Sequence, residues 1–267
     1  MIGITGATGF IGTAVKQALG SADITEIDLR QCSDEELSQI LANCSTLIHL
    51  ASPLPNGDND IEEEIIKMAE RIAKVAIDIP KLGIIFASTI RMYPSKADPI
   101  DWEVGTGAWD PYGRGKAASE AILASLENGK RRIDFLRIAS VQGRENNGMQ
   151  RGVCGFFARQ AKQGNLQVMG EGTAMKDLIH VNDVANAIVA ATKAEAVGVH
   201  IHGIGANPIS VIDLAKIYSE KCGVGISFVE ANPFELSAYF AIDLFGSDLG
   251  WRPEIGLEEI VELSLQE

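Results

Sequence analysis

Two rhythms of apolar and polar positions alternate along this chain. Short, nearly continuous apolar runs recur in the opening "MIGIT", "ITEID" at 24–28, "STLIHLAS" at 45–52, "LGIIFAST" at 82–89 and "IDFLRIAS" at 133–140. Runs that are apolar on both faces are what a strand inside a parallel sheet requires. Between them the spacing turns helical. Ser33 precedes an acidic first turn and predicts a capped helix from Asp34 to about Ala42. Ile65, Ala69, Ile72, Ala76 and Ile79 line one face of a helix over 61–79, and the alanine-rich "DPYGRGKAASE" at 110–120 predicts another. Strands alternating with helices predict an α/β fold with a doubly wound parallel sheet.

From about residue 144 the pattern is less regular. "VCGFFARQAKQG" and "SVIDLAKIYSEKCG" predict helices, "LIHVNDVANAIVAATKA" the end of a strand with its helix, and "LGWRPEIGLEEIVELSL" closes the chain. The expected division is a dinucleotide-binding domain over 1–143, to which segments around 176–205 return, and a smaller lobe over 144–267. That lobe would lie across the carboxyl edge of the sheet, where open α/β sheets bind ligands.

Composition narrows the function. The 267 residues are 46% hydrophobic with a formal net charge of −13. A chain so acidic, without a basic stripe, is not expected to bind nucleic acid. No apolar run has membrane-spanning length, and the first residues lack a signal-peptide layout. Cys32, Cys44, Cys154 and Cys222 are scattered without metal-site spacing, and they read as reduced thiols in a cytoplasmic protein. "EEE" at 62–64 is a solvated helix start. His200 and His202 alternate along one strand, and without further ligands they do not make a metal site.

The strongest local signal is "TGATGFIG", in which Gly6, Gly9 and Gly12 follow a strand and open a helix. Glycines there let the backbone turn sharply and approach a pyrophosphate, which sits against the helix N-terminus. A turn needed only for helix–strand packing is the plainer reading. Asp28 ends the next strand candidate, where a carboxylate accepts from both adenosine ribose hydroxyls and repels a 2′-phosphate. Arg30 pulls the other way, since it pairs with a 2′-phosphate, so the cofactor is NAD with NADP as the alternative. Only one strand fits between the first helix and Ser33, which leaves open whether Asp28 follows the second strand or the third.

Taken together, these segments resemble the extended short-chain dehydrogenases/reductases, the NAD-dependent epimerase/dehydratase family, over nearly the full length. "TGATGFIG" is similar to the family's nucleotide loop, which assigns Gly6, Gly9, Phe10, Ile11 and Gly12 to the cofactor. "LIHLAS" is similar to its fourth strand and adds Leu50 and Ala51. "FASTIRMYP" resembles the segment carrying the catalytic Ser or Thr, here Thr89 ahead of Tyr93. "DPYGRGKAASE" resembles the Tyr-x-x-x-Lys helix, here Tyr112 and Lys116, and "GEGTAMKDLIHVNDVANAI" and "LGWRP" resemble substrate-lobe signatures. The resemblance implies a Rossmann-type sheet and a hydride transfer. Tyr112 would exchange the proton, Lys116 would favour the phenolate and hold the nicotinamide ribose, and Thr89 would hold the substrate oxygen. Tyr93 would pack against the site, His49 would line the cleft or be buried, and His180 would be structural.

Some positions depart from the family. Relatives that dehydrate place Asp-Glu after the catalytic Ser/Thr, whereas Ile90 and Arg91 follow Thr89, which argues against dehydration. The helix over 61–79 has no Asn. Lys176 replaces the Arg that often precedes the Asp of "DLIHV" and grips a diphosphate, supplying charge without a bidentate fork. "FVEANPFELSAYFAID" offers no second Arg. The leading expectation is an NAD(P)-dependent epimerase or oxidoreductase acting at a hydroxyl or keto carbon of a nucleotide sugar, with Thr89 and Lys176 meeting the substrate. A reductase of a smaller carbonyl compound is the alternative, supported by the short segment 53–60, and a cofactor-binding sensor is the non-enzymatic one. A homodimer is compatible with the resemblance.

Overall fold

A computed structural model describes residues 1–53, 60–95, 98–101, 105–108, 110–231, 235–241 and 249–266. Its first half reads β1 (Ile2–Thr5), α1 (Phe10–Leu19), β2 (Ile24–Ile27), α2 (Asp34–Ala42), β3 (Thr46–His49), α3 (Ile61–Ala76), β4 (Gly83–Thr89), a 3₁₀ turn (Ile90–Met92), α4 (Pro111–Ala124) and β5 (Arg132–Ile138). Then follow β6 (Ser140–Arg144), β7 (Gln150–Arg151), α5 (Gly152–Lys162), β8 (Asn165–Met169), β9 (Met175–His180), α6 (Val181–Lys193), β10 (Gly198–Ile204), β11 (Asn207–Ser210), α7 (Val211–Cys222), β12 (Gly225–Val229) and α8 (Leu257–Leu265).

Six strands form the central sheet in the order β10-β5-β4-β3-β1-β2, and every neighbouring pair is parallel. The apolar runs supply its strands because helices cover both faces. Val15 of α1 and Ile188 of α6 bury against one face with Ile4, Ile48 and Leu136. Leu37 and Leu41 of α2, Ile72 of α3 and Leu123 of α4 bury against the other with Leu47, Ile84 and Phe135. Among the described residues the sheet ends at β2, so Asp28 directly follows the second strand.

Local chemistry sets the helix ends. Ser33 and Glu36 form a reciprocal capping box at the start of α2, where the sequence places the cap. α3 stops at Ala76, short of the expected residue 79. Pro80 disfavours helix in the residue before it, and the buried Arg131 Nη2 donates to the carbonyls of Ala76 (2.9 Å) and Ile79 (3.2 Å). β3 likewise ends at His49 rather than 52, as the chain turns across β1 with Ala51 N donating to Thr5 Oγ1 at 3.2 Å.

β6 leaves the main sheet and pairs with β9 in a four-stranded sheet ordered β11-β9-β6-β7. α5, α7 and α8 pack beside it around Phe157, Leu214, Tyr218 and Ile260. Two buried carboxylates clamp this part to the rest. Asp177 accepts from the backbone N–H groups of Ala206, Asn207 and Phe240, and Asp183 from those of Glu254 and Ile255. Burial pushes the Asp177 carboxyl up, and the three backbone donors offset that only in part.

Candidate functional site

The nucleotide loop links β1 to α1 at the carboxyl edge of the sheet, and its three glycines differ in what surrounds them. Gly6 has φ +70°, and a Cβ on it would stand 2.6 Å from Ala51 N. On Gly12 a Cβ would stand 2.2 Å from the Gly6 carbonyl oxygen. Gly9, the N-cap of α1, has extended backbone, and a Cβ there would meet only that same oxygen at 3.3 Å. No side chain caps α1, so its first-turn N–H groups are left for a ligand or water.

A cavity of 490 Å³ opens beside this loop and gathers Gly6, Gly9, Asp28, Arg30, Leu50 and Ala51 into one wall. Phe10 and Ile11 instead pack against the core on the α1 side. Asp28 is engaged by its neighbours: it accepts from Arg30 N (3.0 Å), Arg30 Nε (3.2 Å) and Gln31 Nε2 (3.1 Å). These bonds, the Arg30 side chain first, hold its carboxyl below the ordinary value. Both candidate ribose readers therefore share the cavity, with the Arg30 charge turned onto Asp28.

Further along the edge, β4 ends in Thr89, whose Oγ1 accepts from Arg91 N at 3.2 Å and starts the 3₁₀ turn. α4 begins against this turn. Asp110 caps it by accepting from Gly113 N at 2.8 Å, and Pro111 occupies its first position. The glycines of "YGRGK" explain the close approach. A Cβ on Gly113 would stand 2.4 Å from the Arg91 carbonyl oxygen, and one on Gly115 would stand 3.1 Å from the Glu62 carbonyl oxygen in α3. α4 is thereby pressed between the 3₁₀ turn and α3, with Tyr112 against Arg91 and Lys116 against β4 at Ala87.

Lys116 is buried, 2% exposed, and donates from Nζ to the Ala87 carbonyl at 2.8 Å. Its ammonium stands 4.6 Å over the Phe86 ring and 5.7 Å from the centre of the Tyr112 ring. Burial brings it down to about 7, against a smaller upward pull from Glu120. Tyr112 keeps some surface open, yet its hydroxyl is closely surrounded and burial pushes the phenol up. The Arg91 guanidinium, 5.5 Å over the same ring, and the Ser52 hydroxyl pull it down, and the Asp110 carboxylate opposes them. Ser52 Oγ is buried without a hydrogen-bond partner, so it acts on the phenol from outside bonding geometry.

Lys176, on β9, donates to the Leu236 carbonyl and pairs with Glu235 at 3.4 Å. Burial lowers it, and the nearby Arg91 charge adds to that. Arg91 thus acts on both Tyr112 and Lys176. Sequence reasoning noted Arg91 only as a departure and did not single out Ser52. Neither position carries a local signal, since both act on Tyr112 across separate segments.

The remaining candidates have structural partners. His49 bonds Thr5 Oγ1 through Nδ1 at 2.7 Å and stacks on Phe86, and burial, with the Lys116 charge second, takes it down to about 3. Tyr93 is fully buried and its hydroxyl accepts from Arg137 Nη1. His180 caps α6, and His202 bonds Asp134 Oδ1 at 2.9 Å. Among the described residues no three His, Cys, Asp or Glu side chains gather into a metal-holding group, and no helix is long and apolar enough to cross a membrane. Most of the segment 53–60, and part of the stretch inspected for a second arginine, lie outside the described residues.

A UDP-glucose 4-epimerase of Yersinia pestis is 29% identical over 235 residues, covering 78% of this chain and 68% of that protein. The corresponding enzyme of Bacillus subtilis is 28% identical over 236 residues, with 79% and 68% covered. The fold matches UDP-glucose 4-epimerase of Thermotoga maritima with UDP-glucose (TM-score 0.84, 21% identity, 99% of this chain and 97% of that one). It equally matches UDP-glucuronic acid 4-epimerase of Bacillus cereus in complex with UDP-glucuronic acid and NAD (TM-score 0.84, 22% identity, 99% and 97% covered). The family model of the NAD dependent epimerase/dehydratase family spans residues 2–205, and with the nucleotide loop and the Thr89, Tyr112 and Lys116 group on one sheet edge, this chain belongs to that family.

Proposed function

We propose that this protein binds NAD and interconverts epimers of a nucleotide sugar by oxidising and re-reducing one ring carbon. The observation that carries the reading is the gathering of Tyr112, Lys116 and Thr89 around the carboxyl end of β4, beside a glycine loop in which Gly9 is the least crowded of the three glycines. The curated relatives named above, UDP-glucose 4-epimerases, support the substrate class.

The residues fit the cofactor. Gly9 and the uncapped start of α1 would receive the pyrophosphate, and Asp28 the adenosine ribose, with Leu50 and Ala51 lining the same cavity. When bound, NAD supplies the acceptor for the two electrons and hydrogen leaving the sugar carbon. The protein supplies the proton chemistry. Thr89 Oγ1 holds the substrate hydroxyl at the end of β4, and Tyr112 as phenolate removes its proton while the carbon becomes a ketone. The same phenol returns that proton when the ketone is reduced from its other face. Lys116 favours the phenolate and, turning from the Ala87 carbonyl, would also hold the nicotinamide ribose. Lys176, already in a polar setting with Glu235, would take the diphosphate as a point charge.

The test is direct. Nucleotide released from the purified protein is identified by chromatography, and the NAD-loaded protein is incubated with UDP-glucose, UDP-galactose and the corresponding uronic acid. Epimer formation without added reductant supports the reading. Net oxidation or reduction of a small ketone, with no epimer from any of these sugars, would replace it with the reductase reading.

A further inference from the structure

We infer that Arg91 is a positioning residue for proton transfer: it holds the positive charge that keeps Tyr112 available as phenolate, a task Lys116 performs only in part. The inference rests on Tyr112 being the acid–base group of the reaction proposed above.

The geometry argues it from both cations. Lys116 Nζ is directed into the sheet, where it donates to the Ala87 carbonyl at 2.8 Å and sits over Phe86 at 4.6 Å. Its side chain is almost wholly removed from water, and that burial disfavours its charged form. Arg91 brings a second cation to the ring, a planar guanidinium. Its guanidinium lies 5.5 Å from the centre of the Tyr112 ring, against 5.7 Å for the lysine. The two cations thus stand at nearly the same distance from the ring centre.

Arg91 is also held in that place. Thr89 Oγ1 accepts its backbone N–H at 3.2 Å, and the α4 backbone at Gly113 lies against its carbonyl. Asp110 grips both parts at once: Oδ2 accepts from Arg91 Nε at 3.1 Å while Oδ1 caps α4 at Gly113 N. One carboxylate therefore couples the guanidinium to the turn of helix that carries Tyr112. The charged and polar groups facing the phenol are Lys116 from α4, Arg91 from the 3₁₀ turn, Asp110 from the α4 cap and Ser52 from the segment after β3. Of these only Asp110 opposes the phenolate, and Arg91 neutralises it. Loss of Arg91 would both remove a cation and expose that anion to the phenol.

The experiment measures the phenol itself. Tyrosinate absorbance near the ultraviolet edge is followed against pH for NAD-loaded protein, and the Tyr112→Phe trace is subtracted to isolate Tyr112. Arg91→Gln is expected to raise the Tyr112 midpoint by about one pH unit, roughly tenfold less phenolate at neutral pH. The acid limb of the turnover profile should move up by the same amount. Arg91→Lys keeps the charge and should recover most of the shift. An unchanged midpoint in folded Arg91→Gln, or Arg91→Lys shifting as far as Arg91→Gln, overturns the inference. Failure of the epimerase reading looks different: the midpoint shifts, and no sugar turns over.

Discussion

The glycine loop offers a test in which one motif should give two different failures. A methyl group at Gly12 would stand 2.2 Å from the Gly6 carbonyl oxygen and under 3 Å from two backbone atoms of Ala7, and backbone cannot rotate aside as a side chain does. Ala is otherwise a better helix former than Gly by about 1 kcal/mol, so a net loss of stability has to come from the clash. Overpacking at the upper end of its usual range, about 3 kcal/mol, leaves Gly12→Ala less stable by about 2 kcal/mol. For a domain of this size that lowers the melting temperature by about 4–8 °C. Gly9→Val should behave otherwise. The extended backbone at Gly9 suits a branched residue, and its nearest protein atom is 3.3 Å from the added Cβ. Its stability cost is the poorer N-cap, about 1 kcal/mol. The valine side chain, however, occupies the approach to the α1 N-terminus, and each lost charge-assisted hydrogen bond to a pyrophosphate weakens binding by about 1.5–3 kcal/mol, or about 10- to 100-fold. Thermal melts of both apo variants and calorimetric titration with NAD separate the two effects. Wild-type NAD affinity in Gly9→Val would show that the loop is only a packing turn, and wild-type melting of Gly12→Ala would refute the steric account.

Further outcomes follow from the same site. Tyr112→Phe should lower turnover by about 10² to 10⁴-fold while NAD affinity and melting temperature hold, and near-full turnover would remove Tyr112 from the chemistry. Asp28→Ala should weaken NAD by about 10- to 100-fold and strengthen NADP, because the ribose acceptor is lost and Arg30 is released toward a 2′-phosphate. Adding Arg30→Ala should cancel the NADP gain, and a wild type that already prefers NADP would overturn the Asp28 assignment. His49 should stay neutral throughout pH 5–8, visible as an imidazole resonance that does not titrate. Its folded value, about 3, lies below the unfolded value near 6.5, so the unfolded chain takes up the proton first. Stability is then unaffected above pH 6.5 and falls by up to about 1.4 kcal/mol per unit as pH drops from there toward 3, a slope that His49→Gln should lessen.

Much of this protein was legible in its sequence because the relevant physics is local. Apolar runs mark strands buried on both faces, Ser33 and Glu36 meet within one helical turn, and Tyr112 and Lys116 share a face through helical geometry alone. The glycine loop carries its meaning in the backbone freedom of three residues. What only the tertiary structure decided depends on segments far apart in the chain. Sheet register ends the sheet at β2 and so places Asp28 after the second strand. Arg131, distant in sequence, takes the last carbonyls of α3 and, with Pro80, stops it short of residue 79. The three glycines look alike in the motif, and only the position of the Gly6 carbonyl and the Leu50–Ala51 backbone separates the two where a Cβ would press into backbone from Gly9, which has more room. Arg91 is an exposed-looking residue after a strand until α4, held off by no side chain at Gly113, brings the Tyr112 ring beneath its guanidinium. Electrostatic contacts of that kind depend on distance in space, which helical or strand periodicity does not encode.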